Sequence, residues 1–290
     1  MSLGISVIIP ALNEAKGIAP TLKHIQQVAQ AQGWDLDLVV VDDGSTDETG
    51  ALARQAGARV IRHPTNGGYG LSLQDGIQAA HFDLIAFTDA DGTYPVAEFP
   101  ALVSMVVNEG FDMAVGARTG QEYRKGWWKY PARILFRWLA EYVAGRRIPD
   151  INSGLRVIRR EKLLPHLAHT CLGFSFTTSI TLIFFLNGLF VGYRPVSYAR
   201  RIGTTKVRHF HDTLRTGQIL VSVISAYNPI KLFLLIAFLV FLMGVFCFVL
   251  GWIFVFSWLT WMAVGFWSVA PLIFSLGCLG EAMRLSRMKN

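Results

Sequence analysis

Charge is scarce in this 290-residue chain: Asp, Glu, Lys and Arg make up 16% of it against 52% hydrophobic residues. Soluble domains carry about 25% charged residues. The shortage is local, because from Leu232 through Gly280 no Asp, Glu, Lys, Arg or His occurs. One helix over that run would be roughly 73 Å long, more than twice the ~30 Å hydrocarbon core of a bilayer, so the run must fold back on itself. Two spans are expected, near 231–254 and 261–283, joined at SWLTW (257–261). Cysteine is scarce too. With Cys247 and Cys278 inside the expected spans and Cys171 alone, a disulfide framework is excluded and a reduced, cytosol-facing catalytic part is expected. The opening MSLGISVIIP has no basic region ahead of its apolar stretch, so it reads as a strand and not as a signal peptide.

The charges that are present are segregated. Formal charge is −9 over residues 1–123, +14 over 124–231 and +2 over 232–290. The acidic part holds the candidate metal ligands, and the basic part lies beside the spans, where Lys and Arg are drawn to anionic lipid and phosphate groups. A hydrophobic anchor following the basic stretch argues against nucleic acid as its partner. Arg208, Arg215 and Lys231 flank the spans on one side and Arg284, Arg287 and Lys289 on the other, with no charge at SWLTW. Both termini and the catalytic domain are therefore expected in the cytoplasm, at a prokaryotic inner membrane.

Short apolar runs alternate with helical patterns through the first 120 residues. ISVII precedes a helix around 20–31, LDLVVV one at 47–56, ARVI one at 69–80, and DLIAFT one at 96–108, before a final strand DMAVGA. Such alternation predicts an α/β fold with a parallel, doubly wound sheet, and in such sheets ligands bind at the carboxyl ends of strands. PALNE (10–14), DDGSTD (42–47) and DADG (89–92) all fall at those ends. Asp89 and Asp91 would face the same side of an extended chain. Two close carboxylates repel, and either a divalent cation bridging to phosphates or plain solvation of a turn relieves them. Residues 124–147 are rich in Arg, Lys and Trp, with apolar positions Ile134, Leu135, Trp138, Leu139, Tyr142 and Val143 at helical spacing. That pattern suits a core helix and also a helix touching a membrane surface. Ile180–Val191 is apolar but too short to span, so a buried helix is expected there.

In order, SVIIPALNE, VVVDDGSTDET, TNGGYGLSLQDGI, AFTDADGTYP, DMAVGAR, IPDINSGLR and RRIGTTKVR resemble glycosyltransferase family 2, in its membrane-attached polyprenyl-phosphate branch. The likeness covers about residues 5–208. It implies a Rossmann-like type A glycosyltransferase fold with a mostly parallel sheet, followed by juxtamembrane amphipathic helices and two transmembrane helices. The resulting division is a cytosolic catalytic domain 1–206, a juxtamembrane segment 207–230, and 231–290 with the two spans and a basic tail.

The resemblance also implies roles. Pro10, Leu12, Glu14, Asp42 and Asp43 match the pocket for the base and ribose of a nucleoside diphosphate sugar, UDP- or GDP-linked. Asp89 and Asp91 match the site for Mg2+ or Mn2+ at the diphosphate, with Asp89 also counted among the nucleotide contacts. Asp150 matches an acid near the acceptor, a catalytic base by the resemblance, although an acceptor phosphate already ionised at neutral pH makes an orienting role the expectation; Arg118, Arg201 and Lys206 match cations around phosphates. The implied activity is metal-dependent, inverting transfer of one sugar to a polyprenyl phosphate, dolichyl or undecaprenyl. Homo-oligomerisation is compatible with these features.

The chain departs from the family pattern in three places. A Gln often follows the second metal Asp where this chain has GTY, the loop often written G-x-S-K is GTTK, and FSFTTS lacks an acid some relatives carry. Processive polysaccharide synthases, and transferases acting on another membrane lipid, share the early motifs. The synthases usually carry Q-x-x-R-W after the third Asp. Here Ile134 stands in the Gln position before Arg137 and Trp138, all ahead of Asp150.

Overall fold

A computed structural model describes residues 2–120, 130–173, 175–199, 218 and 221–287. The chain forms two compact units, Met1–Ile219 and Leu220–Asn290. The first is built on a seven-stranded sheet in the order β3-β2-β1-β4-β6-β5-β7. Strands β1 (Gly4–Ala11), β2 (Asp35–Asp42), β3 (Arg59–Arg62) and β4 (Leu84–Phe87) pair in parallel, with Gly4 opposite Asp35 and Ser6 opposite Ile85. The central runs are apolar at nearly every position because both faces of the sheet are covered.

Alternate side chains fill two core layers. Ile5, Val7, Ile9, Leu38 and Val40 pack with Ile18, Leu22 and Ile25 of α1 (Ile18–Gln32) and with Phe99, Leu102 and Val106 of a helix over Phe99–Val107. On the other face Ile8, Val39, Val41, Ile85 and Phe87 pack with Leu73 and Ile77 of a helix over Tyr69–Ala79. Between these in sequence lies α2 (Thr49–Gln55), so the helices Tyr69–Ala79 and Phe99–Val107 are α3 and α4.

The sheet is mostly parallel, as expected, with one exception the sequence patterns did not declare. Strand β6 (Arg156–Arg159) lies antiparallel between β4 and β5 (Met113–Thr119), placing Arg156 beside both Phe87 and Val115. An edge strand, β7 (Val191–Ser197), then runs parallel to β5 and carries Pro195, which an edge position tolerates. The reversal of β6 has a consequence for the site. Its first residue stands at the rim where β1, β2, β4 and β5 end, so the loop entering β6 is delivered to that rim.

Helix α5 covers Tyr130–Ala144, and its Ile134 and Trp138 are exposed. Helix α6 (Phe176–Leu186) is the buried helix expected near 180, shifted toward the N-terminus. Along with Phe176, Ile180 and Phe184 it buries Thr177, Thr178, Ser179 and Thr181.

The second unit pairs α7 (Pro229–Ile253) with α8 (Ser257–Arg287), both long and apolar enough to cross a bilayer. The turn falls at Phe254–Phe256 and not at SWLTW, which lies inside α8. Phe254 N–H donates to Leu250 O, Val255 takes a φ of 56°, and Phe256 N–H returns to Gly251 O. Gly251 lets the turn close, since a Cβ there would come 2.9 Å from Thr260. The polar Ser257 and Thr260 mislead as hinge markers because each can be satisfied inside a helix, as Thr260 is by the Ser257 carbonyl. Most of the juxtamembrane segment 207–230, with Arg208 and Arg215, lies outside the described residues, as does Lys289.

Candidate active site

Pro10 is the penultimate residue of β1, and Leu12 and Glu14 follow the strand; Asp42 closes β2 and Asp43 follows; Asp89 and Asp91 follow β4; Arg118 lies near the end of β5 and Asp150 in the loop before β6. All nine therefore share one rim. Arg201 and Lys206 lie outside the described residues.

At the first two strand ends, acids and backbone hold one another. Glu14 is buried and its N–H donates to Thr49 Oγ1 at 2.8 Å. Asp42 accepts the Ser45 N–H at 2.9 Å, with Arg62 Nε 3.9 Å away. Asp43 accepts the N–H groups of Gly67 (2.8 Å) and Gly68 (2.9 Å) and lies 2.7 Å from His63 Nδ1. The loop 65–68 rests directly on the DDG turn. A Cβ at Gly44, whose φ is +76°, would come within 2.7 Å of the Thr65 carbonyl carbon.

At the end of β4 the backbone turns, with Gly92 at a φ of 71°. Thr21 Oγ1 of α1 donates to the Ala90 carbonyl at 3.3 Å. Asp91 is 3% exposed, and Thr93 donates to its Oδ1 through both the N–H (3.1 Å) and the hydroxyl (2.6 Å). Thr93, in the GTY stretch, thus orients the carboxylate. Tyr69 donates to Asp89 Oδ1 at 3.3 Å, and burial followed by the Asp89 charge pushes its pKa well up, so it remains a donor at neutral pH. Two adjacent hard carboxylates suit Mg2+ or Mn2+. Among the described residues no three His, Cys, Asp or Glu side chains gather into a closed cage, so such an ion would complete its coordination with phosphate oxygens and water.

The PDINSG loop carries the third cluster. Asp150, 3% exposed, accepts Arg118 Nε at 2.7 Å and Nη2 at 2.9 Å in a bidentate pair, with further N–H donors from Arg118 (3.1 Å) and Asn152 (3.1 Å). The Arg118 guanidinium also sits 5.5 Å from the Tyr198 ring, which meets Tyr94 edge-on at 5.3 Å. Tyr94 OH in turn accepts the Gly154 N–H at 2.7 Å. A Cβ at Gly154 would stand 3.0 Å from Asp89 Oδ1 and 3.1 Å from Tyr69 OH. The loop bearing Asp150 and the turn bearing Asp89 and Asp91 thus touch.

Arg156 supports the loop from beneath. It is fully buried and donates to the carbonyls of Ser153 and Ile151, both at 2.8 Å, and to Thr181 Oγ1 of α6 at 2.7 Å. All three acceptors are neutral, and burial draws the Arg156 pKa down while nearby Tyr193 and Asp150 draw it up. Thr178 of the same helix donates to Asn152 Oδ1 at 2.6 Å. The Tyr193 hydroxyl, with its pKa pushed up to about 12 by burial, completes the buried surroundings of Arg156. Tyr69, Thr93, Tyr94, His63 and Arg156 were not among the sequence candidates. Arg156 left no distinguishing signal, since the same RVIR recurs at 59–62, where Arg59 keeps 37% of its side chain exposed.

Residues 6–178 match Glycosyl transferase family 2, and the chain belongs to that family. It is a glycosyltransferase. A dolichyl-phosphate hexose transferase of Haloferax volcanii is 28% identical over 224 residues, covering 76% of this chain and 93% of that protein. An undecaprenyl-phosphate 4-deoxy-4-formamido-L-arabinose transferase of Edwardsiella ictaluri is 30% identical over 161 residues, 53% of this chain and 49% of that protein. The crystal structure of glucosyl-3-phosphoglycerate synthase from Mycobacterium tuberculosis with Mn2+, UDP-glucose and phosphoglyceric acid superposes with a TM-score of 0.60 at 24% identity, over 77% of this chain and 79% of that one. The expected type A glycosyltransferase fold is thereby met.

Proposed function

We propose that this enzyme moves one sugar from a UDP- or GDP-linked donor to a polyprenyl phosphate, dolichyl or undecaprenyl, with inversion at the anomeric carbon. The observation that carries the reading is the junction at one rim of the Asp89/Asp91 turn with a loop whose acid is locked onto Arg118, in a chain that also supplies two bilayer-length apolar helices. Relatives named for dolichyl and undecaprenyl phosphate support the acceptor class, and a fold neighbour named with Mn2+ and UDP-glucose supports the donor class.

An oxygen of the acceptor phosphate attacks the anomeric carbon, the bond from that carbon to the diphosphate oxygen breaks, and the nucleoside diphosphate leaves with the electron pair. Asp89 and Asp91 would hold Mg2+ or Mn2+, and that ion, when bound, supplies positive charge against the leaving diphosphate. Pro10, Leu12, Glu14, Asp42 and Asp43 wall the nucleoside pocket. Thr93 and Tyr69 fix the two acidic side chains. Asp150 acts chiefly by orienting Arg118 toward the acceptor phosphate, because four N–H donors already occupy its oxygens and a phosphate monoester with a second pKa near 6 is mostly dianionic at neutral pH. Arg201 and Lys206 add cations to the acceptor side.

The lipid tail explains the membrane unit, since withdrawing it from the bilayer costs about 0.8 kcal/mol per CH₂. The Arg and Lys flanking the spans in sequence support a cytoplasmic catalytic unit with both termini on the same side. The test is product identity: protein in lipid nanodiscs is given labelled UDP- and GDP-sugars with undecaprenyl or dolichyl phosphate, and products are resolved by mass. One sugar per lipid is expected. A long polymer, or no lipid product from any pair, overturns the reading.

A further inference from the structure

A buried histidine at the nucleoside end of the rim has no part in the transfer step, yet its setting is highly specified. His63 follows β3, its backbone N–H donates to the Asp42 carbonyl at 2.9 Å, and it is 9% exposed. Its Nδ1 lies 2.7 Å from Asp43 Oδ1 and its Nε2 lies 2.9 Å from Asp75 Oδ2. Asp43 directly follows β2, and Asp75 comes from the middle of α3. An ionised carboxylate only accepts hydrogen bonds, and a neutral imidazole has a single N–H, so both contacts are satisfied only by the imidazolium. The same Asp43 carboxylate gathers the N–H groups of Gly67 and Gly68. The imidazolium thus links three pieces of chain: the DDG turn, the TNGG loop lying on it, and α3.

We propose that His63 is a positioning residue for the donor nucleotide: bridging Asp43 and Asp75 as the imidazolium, it latches the 65–68 loop onto the DDG turn and so sets the affinity for a nucleoside diphosphate. The inference rests on the donor reading given above. Losing the proton removes one of the two bonds and leaves Asp43 and Asp75 around a neutral ring, which loosens the wall. Among the described residues the charged groups in contact with the ring are these two carboxylates, with Arg62 beside Asp42 as the adjacent cation along the chain. Burial pulls the His63 pKa down, but the bonds and charges of Asp43 and Asp75 outweigh it and raise it above the ordinary 6.5. The sign follows: the latch is closed below that value and opens as pH rises through the raised one.

UDP and GDP binding to the full chain in detergent, measured by calorimetry from about pH 6 to about pH 8.5, tests this. Wild type is expected to bind one of the two and to weaken about tenfold more across that range than His63→Asn. His63→Asn should bind weakly at every pH, and comparing slopes cancels the titration of the nucleotide itself. Asp75→Asn, on a surface helix, should keep the fold and move the wild-type midpoint toward the ordinary histidine value. Equal slopes in wild type and His63→Asn, or an unmoved midpoint in Asp75→Asn, overturn the latch. Failure of wild type to bind either nucleotide at any pH instead overturns the donor reading.

Discussion

Asp150→Asn separates an orienting acid from a catalytic base. In the wild type Oδ2 takes Arg118 Nε and the Arg118 backbone N–H, while Oδ1 takes Arg118 Nη2 and the Asn152 N–H. An asparagine keeps one acceptor oxygen, so whichever way its amide faces, its NH₂ confronts two donors and strands them. A buried donor left unpaired costs about 1–3 kcal/mol, and breaking a buried ion pair costs about 3–5 kcal/mol. Arg118 retains some solvent, with 17% of its side chain exposed, which favours the lower end, about 3 kcal/mol. If most of that falls on acceptor placement, turnover drops roughly a hundredfold, since 1.36 kcal/mol is tenfold in rate.

The assay is formation of lipid-linked sugar at saturating donor from about pH 6 to about pH 9, with nucleotide binding as a control for folding. A missing base would be replaced by hydroxide as pH rises and the acceptor, with a second pKa near 6, loses its last proton. A missing anchor would not. The depressed rate is therefore expected to stay depressed across the range, and recovery of most activity at high pH would refute the orienting role.

Further expectations follow from other contacts. Thr93→Val removes the 2.6 Å hydroxyl bond to Asp91 while keeping the side-chain volume. At about 1.5 kcal/mol for a bond to a charged group, the Mg2+ or Mn2+ concentration for half-maximal activity should rise about tenfold; an unchanged metal titration would count against Asp91 as a ligand. Arg156→Met strands the Ile151 and Ser153 carbonyls and should lower the melting temperature and acceptor turnover while sparing nucleotide affinity, as calorimetry would show, whereas Thr181→Val, which loses one bond to Arg156, should do so more mildly. Val245→Arg, within α7, should impair membrane insertion by roughly 2.5–3.5 kcal/mol, while Ser257→Arg at the first residue of α8 should not. Membrane fractionation of the two variants checks the pair.

Much of the donor side was legible because it is built from local units. Each of β1, β2 and β4 carries an apolar run, Val7–Ile9, Leu38–Val41 and Leu84–Phe87, that gives way to a turn residue or an acid, so the strand ends, and with them Glu14, Asp42, Asp43, Asp89 and Asp91, could be placed from sequence. The acceptor side was less legible. RVIR is four residues long with arginine at both ends, and nothing local says that it inserts between β4 and β5 in the opposite direction. The contacts that order the site are long-range as well. Tyr94 holds a glycine sixty positions away, and Arg156 reaches a threonine twenty-five positions on. Pattern reading finds residues that end elements, but it cannot see partners that only the folded sheet brings together.

That reversed strand bears on catalysis. Had β6 been parallel, the loop entering it would lie at the opposite edge of the sheet, away from Asp89 and Asp91. Running antiparallel, it brings Asp150 and Gly154 to the rim that bears Asp89 and Asp91, where Gly154 abuts Asp89 and Tyr69. Holding a loop there costs backbone entropy of about 1–2 kcal/mol per residue. Here that cost is met within the fold by Tyr94, Arg156 and Thr178, which bind Gly154, the Ile151 and Ser153 carbonyls, and Asn152. On the proposed reading these bonds hold Asp150, and through it Arg118, oriented for the acceptor phosphate, and the fixed orientation serves the transition state more than the initial binding. Loosening the loop from beneath should accordingly lower turnover more than it weakens acceptor binding.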